Sequence, residues 1–81
     1  MTHQEHRDWL VRFVADVLEI EASEVDTSAS WESLGVDSAT TLVLVADLSA
    51  TLGRDVRPVE VLENPTIDEL ATHLAGEPAQ V

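Results

Sequence analysis

Leu10, Phe13, Val14, Val17 and Leu18 fall at i, i+3, i+4, i+7 and i+8, with Asp8, Arg12 and Asp16 on the opposite side. This spacing predicts an amphipathic helix over about residues 4–19 whose apolar stripe faces a core. Asp8 with Arg12, and Arg12 with Asp16, stand four apart, and each pair adds about 0.2–0.5 kcal/mol on an exposed face. From Glu19 to Asp37 the period is lost and Ser, Thr, Asp and Glu dominate, interrupted by Val25, Trp31 and Leu34. A connection this long in a small domain needs apolar residues to pin it or a function to retain it. Trp31 and Leu34 are the expected pins, and Ser30-Trp31-Glu32-Ser33 suits a single short helical turn.

Gly35-Val36-Asp37-Ser38 leads into Ala39–Leu52, which is free of Gly and Pro and stops at Gly53. Within it, Thr40-Thr41-Leu42-Val43-Leu44-Val45 is rich in β-branched residues, and by propensity alone it suits a strand. Length and punctuation decide for a helix, since strands run to about 4–8 residues. Its core stripe is Leu44, Val45, Leu48 and Leu52. After the turn Gly53-Arg54-Asp55, Pro58 suits a first helical position, where the missing N–H is not needed. A short helix over 58–63 is then ended by Asn64-Pro65, because Pro disfavours helical geometry in the residue before it. Thr66-Ile67-Asp68-Glu69 is a capping-box pattern, followed by Ile67, Leu70, Ala71 and Leu74 on one face. It predicts a last helix over about 67–75, with Gly76 beyond its end and a frayed tail at Glu77–Val81. The expected fold is all-α, an up-and-down bundle of three main helices plus a short third one, forming a single domain over 1–81.

Composition narrows what such a bundle can do. Four Lys plus Arg against sixteen Asp plus Glu give a net charge of −12 in 81 residues that are 44% hydrophobic. A chain of this length hides only about 60% of its unfolded surface, so the core is thin. A small polyanion repels phosphate backbones and anionic lipid heads, which argues against nucleic acid and membrane surfaces and for basic protein patches as partners. The absence of Cys removes disulfides, thiolate metal sites and a cysteine nucleophile. No apolar run reaches the roughly 18 residues of a membrane span, and Met1-Thr-His-Gln-Glu-His-Arg-Asp lacks the apolar core of a secretion signal. The expectation is a cytoplasmic monomer, and Met1 with the short tail leads us to expect a whole protein.

Most candidate chemistry fails on spacing. His3 and His6 stand three apart in a terminal turn, a weak metal signal against the three or four ligands a site needs, and His73 is expected on the outer side of the last helix. Glu19-Ile-Glu-Ala-Ser-Glu-Val-Asp26 is acidic but lacks the order and the turn-making Gly of a calcium loop. Asp37-Ser38 is not a Gly-x-Ser-x-Gly elbow, and no His is placed as an evident base. What distinguishes Ser38 is its position at the mouth of the central helix, behind Gly35. Unpaired N–H groups and about half a positive charge there suit a phosphate carried on a Ser hydroxyl. The alternative is that Asp37 or Ser38 simply caps the helix.

Leu34-Gly35-Val36-Asp37-Ser38, between an acidic amphipathic helix with a long loop and a helix, a short helix and Asn64-Pro65-Thr66-Ile67-x-x-Leu70, resembles the acyl carrier proteins along almost the whole chain. The resemblance implies an acyl-carrier-like four-helix bundle without catalytic residues of its own. Ser38 would accept 4′-phosphopantetheine from coenzyme A through a phosphopantetheinyl transferase, and the arm's thiol would hold an acyl group as a thioester. Gly35 and Val36 would shape the loop the transferase grips, and Asp37 would orient the transferase complex, through its metal. An acyl-loading enzyme and a ketosynthase or other synthase enzymes are the implied partners. The groove near Leu42, Val59, Val61 and Leu62 would hold the arm or an apolar acyl chain shallowly.

This chain departs from the fatty-acid carriers where their docking helix is acidic. Ala39 and Val43 stand at places where Leu and Glu are usual, and Asp47 is the only charge from Ser38 to Leu52. Nine of the sixteen acidic residues lie in 1–37 and six in 53–81, so charge frames the central helix. Ala39, Val43, Ala46 and Ala50 are therefore expected to form a neutral docking face, with Asp37, Asp47, Glu60 and Glu63 as peripheral charges. The alternative places Val43 against the loop through Trp31 and makes Ala39 only a good helix former. Asp before Ser38 resembles polyketide and fatty-acid carriers more than the Gly-Gly-x-Ser of peptidyl carriers, and Glu63-Asn-Pro-Thr-Ile-Asp-Glu-Leu resembles carriers of polyketide and nonribosomal peptide pathways. The expectation is polyketide-type specialised metabolism; a peptidyl or aryl carrier, or an unmodified acidic helical adaptor, are the alternatives.

Overall fold

Thr2 and Glu5 start the first helix by capping each other's backbone. The Glu5 N–H donates to Thr2 Oγ1 at 3.1 Å, and the Thr2 N–H donates to Glu5 Oε1 at 2.8 Å. The computed structural model describes residues 2–76, and this helix, α1, spans His3–Leu18. It ends on Glu19 in the left-handed region, φ 59°, which costs a non-glycine residue about 1 kcal/mol. The Ile20 N–H there reaches back to the Ala15 carbonyl at 3.0 Å. A 3-10 turn at Ala22–Glu24 follows, then α2 (Trp31–Leu34), α3 (Ser38–Leu52), α4 (Pro58–Glu63) and α5 (Ile67–Gly76). The architecture is the expected all-α bundle of three main helices, α1, α3 and α5, with short α4 bridging the last two. Among the described residues the only strand-like pairing is an isolated antiparallel bridge between Ser30 and Thr66.

The core is made where the helices meet. Leu10 and Val14 of α1, Leu44 and Leu48 of α3, Val61 of α4, and Ile67 and Leu70 of α5 are fully buried, each contributing about 2 kcal/mol of transfer free energy. This burial keeps α3 helical despite its β-branched sequence. Leu44, Val45 and Leu48 are hidden on one side, while Val43 on the other side is 53% exposed. The alternative that buried Val43 through Trp31 is thereby excluded.

Several expectations need correction. Val17 is exposed, because the buried row of α1 runs Leu10–Val14 and takes in Ala15, leaving Val17 at its edge. Phe13 is half-buried and stacks on Trp9, ring centroids 5.6 Å apart. Leu52, in the last turn of α3, is also only half-buried. Asp8 accepts a bond from the Gln4 amide at 2.9 Å. Gly76 is the last residue of α5, not the first beyond it; the expected tail at Glu77–Val81 lies outside the described residues. The first turn does not fray, since His6 is 3% exposed and His3 Nε2 lies 3.2 Å from Thr72 Oγ1 of α5. Among the described residues no three potential ligands converge on a metal site, and no helix is long and apolar enough to cross a membrane.

The long connection is held by hydrogen bonds as much as by its pins. Trp31 is buried, its backbone N–H donates to the Pro65 carbonyl at 3.0 Å, and its indole Nε1 donates to the Asn64 carbonyl at 2.9 Å. Further along, the Asp68 N–H donates to the Thr27 carbonyl at 3.1 Å, and Thr27 Oγ1 donates to Asp68 Oδ2 at 3.1 Å. Arg7 of α1 closes the cluster, its Nε lying 3.2 Å from Asp68 Oδ1. The loop is thus attached to the start of α5, and α2 sits where its last residue can hand the chain on to α3.

The two faces of α3 give a direct check on this packing. Leu44→Ala should lose about 3 kcal/mol, as a buried leucine truncation does, whereas Val43→Ala should stay within about 0.5 kcal/mol. Urea unfolding followed by tryptophan fluorescence reads both.

Candidate functional site

Three residues join α2 to α3, and each is fixed by a different interaction. Gly35 caps α2 in the left-handed region, φ 96°. A Cβ there would meet Leu18 Cδ2 at an ordinary 3.5 Å, so it is the backbone conformation, not space, that calls for glycine. The Val36 N–H donates to the Trp31 carbonyl at 2.9 Å, and the Val36 side chain is buried. Asp37 is the N-cap of α3, with Oδ1 accepting the Thr40 N–H at 2.8 Å. Its carbonyl accepts both the Thr41 N–H, at 2.9 Å, and the Thr41 hydroxyl, at 3.0 Å.

Ser38 follows as the first helical residue, and it is exposed. Asp37 therefore does the capping, and the Ser38 hydroxyl is left at the positive end of a fifteen-residue helix. The first turn of α3 holds no acidic residue to compete for that field. The Thr40 N–H, with smaller help from the Thr40 side chain, holds the Asp37 carboxyl below its ordinary value of 3.8. Asp37 is thus a carboxylate beside Ser38 at neutral pH.

Ser38 stands at the rim of an open cleft of about 720 Å³ between α2, α3 and α4. Trp31, Leu42, Pro58, Val61 and Leu62 make most of its lining apolar, while Gly35, Val36, Asp37 and Thr41 border the Ser38 end. Of the expected groove residues, Leu42, Val61 and Leu62 line it. Val59 does not: α4 turns positions 58, 61 and 62 to the cleft, and 59 falls on the adjacent side. Trp31, Thr41, Pro58 and Pro65 were not foreseen as lining. Pro58 could have been, since it lies one turn before Val61 and Leu62.

Ala39, Val43, Ala46, Asp47 and Ala50 are all exposed along α3, with Val43 beside Leu42, which is 59% exposed. Glu63 is exposed at the end of α4. Glu60 is different: it is turned inward, accepting the Arg57 N–H at 3.0 Å, Arg54 Nη2 at 3.2 Å and His73 Nε2 at 2.8 Å. His73, expected on the outer side of α5, is instead half-buried against α4, because α5 lies close enough for the histidine to reach the N-terminal turn of α4.

The chain matches the family described as "Phosphopantetheine attachment site" over residues 8–74. It belongs to this family of phosphopantetheine-carrying domains. It is 32% identical over 77 residues to "Acyl carrier protein TtuC" of Teredinibacter turnerae, covering 95% of this chain and 88% of that one. It is 40% identical over 70 residues to a phenolphthiocerol/phthiocerol polyketide synthase of Mycobacterium tuberculosis, an overlap of 86% of this chain but only 4% of that protein's length. Among solved structures, a free-standing peptidyl carrier protein from a secondary metabolic pathway of Acinetobacter baumannii superposes with TM-score 0.88 at 25% identity, covering 95% of this chain and 96% of that one. The protein is a carrier domain, of a family that is generally non-catalytic and works with synthase enzymes.

The cap makes a prediction about stability. Because the Asp37 carboxyl titrates lower in the folded chain than its ordinary 3.8, its contribution is present above that value and is lost as pH falls through the lower, folded one. Asp37→Asn should flatten this part of the acid-unfolding curve while keeping the cap, and Asp37→Ala should lower the urea midpoint at neutral pH and expose the first-turn amides of α3 to hydrogen exchange.

Proposed function

We propose that Ser38 is the attachment point of 4′-phosphopantetheine and that the chain carries acyl intermediates in polyketide-type specialised metabolism. The observation that supports this most is an exposed hydroxyl at the first position of α3, next to a capping aspartate and at the rim of an apolar cleft. The residues present suit the group: Ser38 supplies the ester oxygen, the α3 N-terminus favours the phosphate, and Leu42, Val61 and Leu62 offer an apolar bed. When attached, the group supplies a thiol that holds cargo as a thioester.

The work of the chain itself is positional. Gly35 and Val36 fix the loop that a phosphopantetheinyl transferase grips, and Asp37 presents a carboxylate beside the hydroxyl, able to face the transferase's metal. The charge-poor side of α3, Ala39, Val43, Ala46 and Ala50, forms the docking face for acyl-loading enzymes and synthase partners, with Asp47 and Glu63 at its margins. The likeness to TtuC and to a polyketide synthase supports the acyl assignment. The likeness to a peptidyl carrier supports a second reading, a carrier of aminoacyl cargo. Loading assays with amino-acid adenylates against acyl donors separate the two.

Incubation with coenzyme A, magnesium and a broad-specificity transferase should add one phosphopantetheine to the intact mass, and Ser38→Ala should abolish the gain. No gain, as an unmodified adaptor would give, or a gain that survives Ser38→Ala, overturns the proposal. Docking through a neutral face should also resist salt, since apolar contact is not screened. Raising ionic strength to about 0.5 M, where the Debye length is under about 5 Å, should leave acyl loading within about twofold, and Asp47→Asn should do the same.

A further inference from the structure

The cleft has one movable wall. Helix α4 is six residues long, too short to be stable on its own, yet it supplies Pro58, Val61 and Leu62 to the cleft. What holds it is a cluster on its other side. Glu60 Oε2 caps the Arg57 N–H at the start of α4, and Glu60 Oε1 takes both the Arg54 guanidinium at 3.2 Å and His73 Nε2 of α5 at 2.8 Å. With its side chain only 13% exposed, Glu60 joins the α3–α4 turn, α4 and α5 through a single carboxylate.

One partner in that cluster changes charge under mild conditions. A histidine gains or loses its proton between about pH 5 and 8, whereas Arg54 stays charged throughout. Partial burial pushes the Glu60 carboxyl up, but its bonds from the Arg57 N–H, His73 and Arg54 outweigh this and hold it below its ordinary value. It is a carboxylate over the whole range. The charged groups around His73 are mainly acidic. Glu60 of α4 is in contact; Glu63 of α4 and Asp68 and Glu69 of α5 line the same groove as His73. Asp68 is paired with Arg7 of α1, and His3 of α1 reaches neighbouring Thr72. Arg54 opposes a second positive charge at the shared oxygen, but the carboxylates outnumber it.

We propose that the His73–Glu60 contact is a proton-controlled clasp on α4: protonated His73 holds α4 against α5 and keeps the cleft narrow, and neutral His73 lets α4 swing and the cleft widen. The 2.8 Å contact is a charge-assisted hydrogen bond between ions in the first state and a weaker one from a neutral ring in the second. Its role as a control on cargo entry rests on the Ser38 carrier assignment, but its physical operation does not. The clasp is therefore tested on the unmodified chain, independently of mass gain at Ser38.

Amide hydrogen exchange of Val61–Asn64, corrected for the intrinsic effect of pH, reads the opening of α4. In the wild type the opening equilibrium should rise about threefold between pH 5.5 and pH 7.5, in line with the gain of a charge on one partner of a partly exposed hydrogen bond. His73→Gln, which keeps a polar side chain at the surface, should remove the dependence on pH, and Glu60→Gln should remove it too. Trp31, whose indole donates to the Asn64 carbonyl at the end of α4, gives a second readout in a Trp9→Phe background: its fluorescence should follow the same pH change and lose it in His73→Gln. A wild-type opening independent of pH, or a pH dependence that persists in His73→Gln, overturns the proposal.

Discussion

The three-residue link between α2 and α3 is the constraint on which the site depends. The chain must turn left-handed at Gly35, bury Val36 and begin a helix at once, so the only freedom left to position 38 is to face outward. Asp37 completes this by taking the cap that a serine could otherwise have occupied. A Ser hydroxyl that caps its own helix is already committed to a backbone N–H. Here the aspartate accepts from Thr40, and the Ser38 hydroxyl stays at the end of the α3 dipole with nothing acidic in the first turn. A rigid pedestal for a long flexible tether is what a carrier domain requires, and it is built from one glycine conformation, one buried valine and one side-chain cap.

The rest of the molecule divides into a part that holds this pedestal and a part that can give. α1 and α5 pack together and, through Arg7, Asp68 and Thr27, fasten the long connection that ends in α2. Trp31 extends that fastening to the α4–α5 junction. Helix α4 is the lighter element: one fully buried residue, Val61, and one inward carboxylate, Glu60, position it. Its Leu62 is 76% exposed at the cleft, an apolar surface that a thin core leaves available to cargo or a partner. The net charge of −12 keeps such a surface from self-association, while the side of α3 nearest Ser38 stays almost free of charge.

Much of this was legible in the sequence because it is written in local rules. Pro58 and Asn64-Pro65 bracket α4, Thr66 caps α5, and Gly53 ends α3, each through chemistry that acts within four residues. The Ser38 position followed from a short motif at a helix start. What the sequence hid were contacts between residues far apart. Nothing near His73 reveals that Glu60, thirteen residues earlier, turns inward to meet it, and nothing near Thr27 announces Asp68. Val17 fitted the apolar period of α1 but lies where the partner helices no longer cover that face, and His6 is buried although its residue type usually favours the surface. Val59 fitted the apolar composition of the groove but not the face of α4 that lines it. A period predicts which residues share a side of a helix; which side is covered depends on the neighbours.

The central claim is that the site is preformed and receives its arm without reorganising the bundle. Backbone ¹⁵N chemical shifts compared before and after phosphopantetheine attachment test it most directly. A preformed site predicts changes confined to Gly35–Leu42 and to the α4 wall of the cleft at 58–62, with α1 and α5 unmoved. Changes spread through α1 and α5, or the largest of them centred away from position 38, would contradict it.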